Sequence, residues 1–554
     1  MSDAPTHTPT PTHDRHRPSA ETLAADPIFL EVFWTRIRSI ANEAAKLIVR
    51  TSFSTLSSEA NDFAVVVTDA QGRTLSENSG SIPSFIGTLP LTVQAVLEKI
   101  GADAMQPGDV FVTNNPWIGT GHLNDVCMVK PIFHRGAIVA FSASAGHVPD
   151  IGGKIRSVDS RELFEEGLHI PILRFLTRGV PDPLLIDMIR ANVRTPDQTV
   201  GDLWSQVGAI ELIDRRLVAL LEEYRLDGIG ALAHALFERS DAAMRQTIAA
   251  LPQGTFSYAM QTDGFDTPFT FAVQVTIADE AIVCDFTGTS DQQPRGINCV
   301  LAYTRAMTAY AVKCLLLPEL PNNEGLFRAI RVVAPLGSLL NPTQPSPVGG
   351  RACTGHYVPT VIFGALAQVL PEKVMAGAGS PLWIANLSGR RKDGKPFATV
   401  LFYNGGLGAT AGKDGASAMS WPSNISPTPV EVAERDSPLF LLAKKLRPGS
   451  GGAGRYRGGL GEEIRFVSRH DSAMSIVFLT ERLRWAAPGI GGGEAGAPGE
   501  VLINGASIDS RVPHVLQPGD EVTLRTPGGG GYGPPGDRAA ADSARDLRMG
   551  YVTA

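Results

Sequence analysis

The chain has 554 residues, of which 58 are glycine and 40 proline, with 19 % charged and 43 % hydrophobic. That hydrophobic share excludes general disorder, glycine without a three-residue period excludes collagen, and the length allows two or more domains. A net charge of −7 with no dense basic stretch argues against a nucleic-acid partner, and no apolar run reaches the roughly 18 residues a membrane span needs.

The N-terminal segment MSDAPTHTPTPTHDRHRPSA lacks an apolar core and carries Asp3 and Asp14, so it does not read as a signal peptide. Residues 1–25 are expected to be a disordered tail in which His7, His13 and His16 are solvated. Asp26-Pro27 reads as a helix cap followed by proline at the first helical position. Apolar residues then recur at helical spacing from Ile28 to Ile48, predicting an amphipathic helix to about residue 51. A strand is expected over 63–68, closed by the turn Asp69-Ala-Gln-Gly72, then a helix near 89–100 and a strand around 110–113. Two apolar runs, 126–133 and 137–145, flank His134-Arg-Gly136 and predict a hairpin. Residues 183–251 read as almost wholly helical. After Pro252 strands are expected over 269–277 and 281–286, a helix over 301–317, and beyond 330 short strands between Gly/Pro turns. The fold class is α/β (mixed α+β): a tail (1–25), an α/β and helical domain (26–252), and a strand-rich, glycine-rich α/β domain (253–554).

Chemistry concentrates in Gly119-Thr-Gly-His122-Leu-Asn-Asp125-Val-Cys127 and Gly146-His147-Val-Pro-Asp150-Ile-Gly-Gly153. A hairpin turning at Arg135-Gly136 pairs residues whose numbers sum to about 271, which sets 125 opposite 146 and gathers His122, Asp125 and His147 at its open end. Two imidazoles and a carboxylate suit one divalent cation (Zn, Mn or Fe), and three protein ligands leave positions open for water or substrate. Such a cation acidifies water and polarises a carbonyl, the logic of amide hydrolysis. Asp62 is a candidate further ligand and Glu59 a nearby acid, and Asp150 a carboxylate able to orient a ligand histidine. Cys127 shares the strand face of Asp125 and reads as a buried apolar cysteine rather than a nucleophile, while His169 and His356 read as hydrogen-bonded structural residues. The five cysteines, Cys127, Cys284, Cys299, Cys314 and Cys353, are scattered and odd in number, which suits free thiols in the cytoplasm. There is no G-x-S-x-G elbow and no P-loop, and the Gly528 to Gly533 run precedes prolines rather than a helix. Any ATP is therefore expected on another polypeptide. The C-terminal glycine clusters are read as turns and close packing.

At these residues the sequence resembles the hydantoinase B/oxoprolinase family from about Asp26 to the C-terminus. The landmarks are Asp26-Pro-Ile-Phe-Leu-Glu-Val32, Glu59-Ala-Asn-Asp62-Phe, Asn115-Pro-Trp-Ile-Gly-Thr-Gly-His-Leu-Asn-Asp125, His147-Val-Pro-Asp-Ile-Gly-Gly153 and Asp285-Phe-Thr-Gly-Thr289. Pro321-Asn-Asn-Glu-Gly325, Tyr403-Asn-Gly-Gly406, Pro448-Gly-Ser-Gly-Gly-Ala-Gly454 and Gly528 to Gly533 continue the match. The resemblance implies an A-type partner subunit with an actin-like ATPase fold that phosphorylates the amide oxygen of a small cyclic amide (hydantoin, N-methylhydantoin, oxoproline or lactam). This B-type chain would then direct a metal-activated water to open the ring, within a hetero-oligomer. It also implies that His122, Asp125 and His147 are the metal positions, with Asp62 a further ligand. One departure stands out: where many relatives read H-I-P-x-H-L-G, this chain has Ser81-Ile-Pro-Ser-Phe85-Ile-Gly. Two other readings compete, a subunit of an ATP-dependent ketone carboxylase and a non-catalytic scaffold for the ATPase.

Overall fold

The computed structural model describes residues 19–552 apart from 155, 380, 381 and 392. Residues 1–18, with His7, His13 and His16, lie outside the described residues. Helix α1 (Pro27–Thr51) begins where the sequence puts it, because the Asp26 carboxylate accepts from the backbone N–H groups of Ile28 and Phe29. One short helix, Ala20–Ala24, precedes it within the segment expected to be a tail, capped by Ser19.

Strands β1 (Phe63–Asp69) and β2 (Thr74–Glu77) follow, then helix α2 (Leu89–Ile100) and strand β3 (Val110–Thr113). The predicted hairpin is β4 (Asp125–His134) and β5 (Ala137–His147). Its turn residues Arg135 and Gly136 both take left-handed φ values, 51° and 83°, as a two-residue turn matched to strand twist requires. After β6 (Leu173–Thr177) and β7 (Val180–Pro181) come helices α3 (Pro183–Asn192), α4 (Pro196–Glu223) and α5 (Gly230–Ala249).

The seven strands form one antiparallel sheet in the order β2-β1-β5-β4-β3-β6-β7. Its central strands are covered on both faces, so they read as continuous apolar runs instead of alternating ones. In β1, Phe63, Val65 and Val67 pack with α1 and α4, while Ala64 and Val66 face the largest core cluster. That cluster contains residues from both sides of position 252 and reaches Leu479.

The back of the chain carries three smaller sheets. β8 (Gly254–Thr262), β9 (Phe269–Ala278), β10 (Ala281–Asp285) and, after helix α6 (Leu301–Leu316), β11 (Ile330–Val333) make the first. Helix α7 (Tyr357–Leu366) leads to β12 (Trp383–Arg390) and β13 (Pro396–Tyr403), which belong to the second sheet; the third gathers strands between Leu439 and Arg525.

The C-terminal glycines divide between the two expected uses: Gly491 and Gly492 form a turn with φ of 61° and 92°, and the Gly528 to Gly531 run serves close packing. Residues 527–531 are the centre of a bundle of extended segments, and none of Gly528 to Gly531 has positive φ. Gly529 N–H donates to the Gly459 carbonyl at 3.0 Å, Gly530 N–H to Gly377 at 2.9 Å and Gly531 N–H to Glu494 at 2.8 Å. In return the Gly529 carbonyl accepts from Gly452 N–H and the Gly530 carbonyl from Ala409 N–H. A Cβ on Gly529 would sit 1.9 Å from the Leu407 carbonyl oxygen. Glycine is needed here for the missing Cβ, since five backbones approach one another where any side chain would stand.

Candidate metal centre

The geometry starts with a bulge. Near the turn, His134 pairs with Ala137 and Phe133 with Ile138, but the register shifts between Ile132 and Phe133. From there to the open end the pair sum is one higher, so Asp125 lies directly opposite His147 and Val126 opposite Gly146. The sequence register of 125 against 146 is corrected by this one residue, which a bulge supplies. His122 reaches the same point from the preceding loop, where Gly121 has φ +100° and a Cβ would come within 2.5 Å of Arg351 Cδ. His122, Asp125 and His147 are each 2 % exposed or less, with one ligand atom apiece inside a 4.8 Å span. The two rings are 5.0 Å apart at their centroids.

Hydrogen bonding fixes what these atoms carry. His122 Nδ1 lies 3.2 Å from the Gly349 carbonyl, so Nδ1 holds the proton and Nε2 is bare. Burial, followed by the nearby Arg351 charge, holds the His122 pKa down at about 4, so the ring is neutral. Its bare Nε2 nevertheless faces Asp125 Oδ1 at 2.9 Å. Burial alone would raise Asp125, but His122 and Arg351 hold its carboxyl well below the usual range. Two acceptors therefore point at each other in a dry site, and neither has a hydrogen-bond partner. His147 Nδ1 is buried and unpartnered as well. Two imidazoles and one carboxylate gathered in a dry site, with the bare His122 Nε2 facing a bare carboxylate oxygen, fit a divalent cation of the zinc, manganese or iron class.

Four further residues, Arg351, Thr120, Arg156 and Glu166, complete the site. Arg351 bonds Asp125 Oδ2 through Nη2 and the Thr120 carbonyl through Nε, and Thr120 Oγ1 donates to the same carboxylate oxygen. Arg156 donates through Nε to the Gly349 carbonyl at 3.1 Å and through Nη1 to His147 Nε2 at 3.0 Å. Glu166 accepts from Gly349 N–H at 2.8 Å and Val348 N–H at 3.1 Å, and burial pushes its pKa up to about 7. The Gly349 carbonyl is thus the shared acceptor that orients His122, with Glu166 holding it in place. Sequence reasoning missed Arg156, Glu166 and Arg351. The one local signal was Gly349-Gly350 just before Arg351, which itself reaches Asp125 across 226 positions of chain.

The other candidates fall in different places. Asp62 is buried beside the trio without joining it: its backbone carbonyl accepts from His147 N–H at 3.0 Å, and burial plus the Asp125 charge push its carboxyl up to about 7. Glu59 is half-buried at the end of a short helix, and its charge bears on Arg435. Asp150 orients neither histidine. Its carboxylate pairs with Arg194 at 2.6 Å, because the 150–153 loop turns it toward the start of α4. Cys127 is buried with its thiol pushed up to about 12, and His356 Nε2 lies 2.8 Å from the Tyr303 hydroxyl, both structural as read. Ser81 donates to the Asn78 carbonyl at 2.9 Å, and Phe85 is buried in the main core. A cavity of about 20 Å³, lined by His147, Arg156, Asn386 and Val400 among others, lies between the hairpin end and β12–β13. That is room for about one water.

Residues 26–535 match the family model described as Hydantoinase B/oxoprolinase. A protein of Pseudomonas sp. (strain NS671), described as the B-type component of a D-/L-hydantoinase, is 30 % identical over 558 residues, covering 95 % of this chain and 93 % of the relative. The ATP-dependent caprolactamase of Pseudomonas jessenii has a crystal structure that superposes with a TM-score of 0.85 at 26 % identity, covering 96 % of this chain and 95 % of that one. Nucleotide-free acetone carboxylase superposes with a TM-score of 0.87 at 20 % identity over 96 % of this chain and 79 % of that one, a likeness of fold.

Proposed function

Starting from the hydantoinase B/oxoprolinase family, to which this chain belongs, we propose that the protein is the metal-dependent subunit of an ATP-driven enzyme that opens a small cyclic amide. The observation that carries this reading is the pair of buried acceptors, His122 Nε2 and Asp125 Oδ1, facing each other at 2.9 Å with His147 beside them. A cation held by His122, Asp125 and His147 supplies a Lewis acid for a ring carbonyl and for water.

The chain's own residues do the rest. The Gly349 carbonyl fixes the His122 tautomer, so that Nε2 always offers a lone pair inward. Arg351 and Thr120 hold the second oxygen of Asp125, leaving the first to face the centre. Asp62 is buried beside the trio, its carboxyl raised by burial and by the Asp125 charge, and a cation that offset that charge would let Asp62 serve as the further ligand. The buried walls exclude bulk water and strengthen each of these interactions. ATP belongs to a partner subunit in this reading: the chain has no P-loop, and its hydantoinase relative is described as one subunit of its enzyme.

The test is coexpression with an A-type ATPase partner and an ATP-dependent ring-opening assay on hydantoin, 5-oxoproline and caprolactam. Ring opening that His122→Ala abolishes while the complex still assembles supports the reading. Unchanged turnover in His122→Ala sinks it, and stable incorporation of ¹⁴C-bicarbonate into product would assign a carboxylase instead.

A further inference from the structure

Arg156 makes a contact that ligation by His147 cannot tolerate. A neutral imidazole has one N–H and one lone pair, and a guanidinium only donates. At 3.0 Å, Arg156 Nη1 therefore points a hydrogen at the lone pair of His147 Nε2, which leaves the ring proton on Nδ1. That Nδ1 is buried and finds no acceptor. A cation at Nε2 needs the lone pair that the guanidinium holds. A cation at Nδ1 needs the proton moved to Nε2, where it would meet the arginine N–H head-on. Both routes break the same hydrogen bond.

Charge points the same way. Asp62, Asp125 and Glu166 act on Arg156 along with Arg351, so two guanidinium charges stand against at most three carboxylates before any cation enters. A divalent ion would bring two more positive charges into a site closed to water, and the guanidinium nearest to it would be repelled. Arg156 can leave without unfolding its segment. Its backbone carbonyl accepts from Asn386 Nδ2 at 3.1 Å, which anchors the main chain to β12, and its side chain borders the cavity next to His147.

We infer that Arg156 keeps the cation seat closed in the metal-free protein by holding the His147 lone pair, and that divalent-cation binding displaces its side chain. The inference rests on the metal reading above, and it makes Arg156 a positioning residue whose removal strengthens ligand binding.

The experiment titrates zinc into chelator-stripped full-length protein against a chromophoric chelator. Wild type is compared with Arg156→Gln and Arg156→Met, with circular dichroism as the check on fold. Zinc binding tighter by about tenfold in the variants is expected, the worth of one charge-assisted hydrogen bond that no longer competes. A merely structural arginine would give the opposite sign, because a loosened site binds metal more weakly. If both variants misfold, Arg156→Lys keeps the charge but not the planar fork that bridges Gly349 and His147, and a gain is expected there too. Zinc bound by wild type with no gain in any folded variant overturns the inference and leaves the metal reading standing. Zinc bound by none of the proteins overturns both.

Discussion

The metal hairpin and the C-terminal glycine bundle are both buried and both framed by glycine, yet they are made of opposite materials. Around His122 the interior holds two arginines, two aspartates and two histidines, and several inward-facing polar atoms have no partner. Around Gly529 there are almost no side chains, and the backbone amides of Gly528 to Gly531 each donate to a carbonyl of another segment. One region stores unmet bonding capacity, and in the other each of these amides has met its partner. Unmet capacity in a dry interior costs free energy unless something else meets it, so the first region points to a ligand and the second to stability alone.

The sharpest way to break this contrast is to remove a group from each side. His122→Ala takes away one inward nitrogen but little volume from a core this large. Turnover in the assembled complex is expected to fall on the order of a thousandfold with loss of bound metal, while the melting temperature shifts only slightly. Stoichiometric metal by elemental analysis in the variant would refute it. Gly529→Ala should do the reverse. Its Cβ would meet the Leu407 carbonyl oxygen at 1.9 Å, and backbone on every side leaves no flexible neighbour to yield. A loss of about 4 kcal/mol or more is expected from such overpacking. The protein should melt earlier or fail to accumulate, whereas whatever fraction folds should bind metal normally.

A smaller effect tests how the hairpin site is held. Glu166 touches neither the cation seat nor its ligands and acts through the Gly349 peptide. Glu166→Gln replaces one acceptor by a donor that opposes a backbone N–H. Metal affinity is expected to drop by about 10- to 100-fold, the usual cost of losing a partner that orients a ligand histidine. Zinc affinity equal to wild type would show that the 348–350 loop needs no such support.

Much of this was legible beforehand, and the limits have physical causes. The Asp26 cap, the 89–100 helix and the hairpin at Arg135-Gly136 were readable because each is set by local chemistry. The trio was readable because two of its members sit on one hairpin, and only the bulge at Ile132 moved their pairing by a residue. Arg351 and Glu166 were not, since both reach the site through contacts that no spacing encodes. Asp150 was misread because a carboxylate two residues from a glycine pair looks free in sequence, while Arg194 claims it in space. Of turns and close packing, the two uses the sequence offers for glycine, the Gly528 to Gly531 run takes the second, and only the contacts in space show that the missing Cβ and not a positive φ is what counts there.

Glu77 sets the last and smallest test, because it carries an unpartnered buried atom with no ligating neighbour. Its Oε1 accepts from Asn322 Nδ2 at 2.5 Å, but Oε2 has no partner, and no metal-type cluster among the described residues includes it. If unmet capacity points to a ligand only where ligating groups converge, then here it is simply strain, and neutralising the group should help. Burial pushes the Glu77 pKa up to about 8 from an ordinary value of 4.5, so the folded protein holds this proton more tightly than the unfolded chain. A raised carboxyl contributes its full stability below pH 4.5, and that contribution is lost as pH rises through 8. Glu77→Gln keeps the oxygen that Asn322 needs and cannot ionise. Its melting temperature should equal that of wild type near pH 5 and exceed it by about 1–2 °C near pH 8. The same scan on Gly529→Ala should give a constant offset at both pH values, since nothing that titrates lies in that bundle's contacts. A Glu77→Gln offset that does not grow with pH would mean that some other group meets Oε2, and would remove the distinction between strain there and ligand capacity at His122.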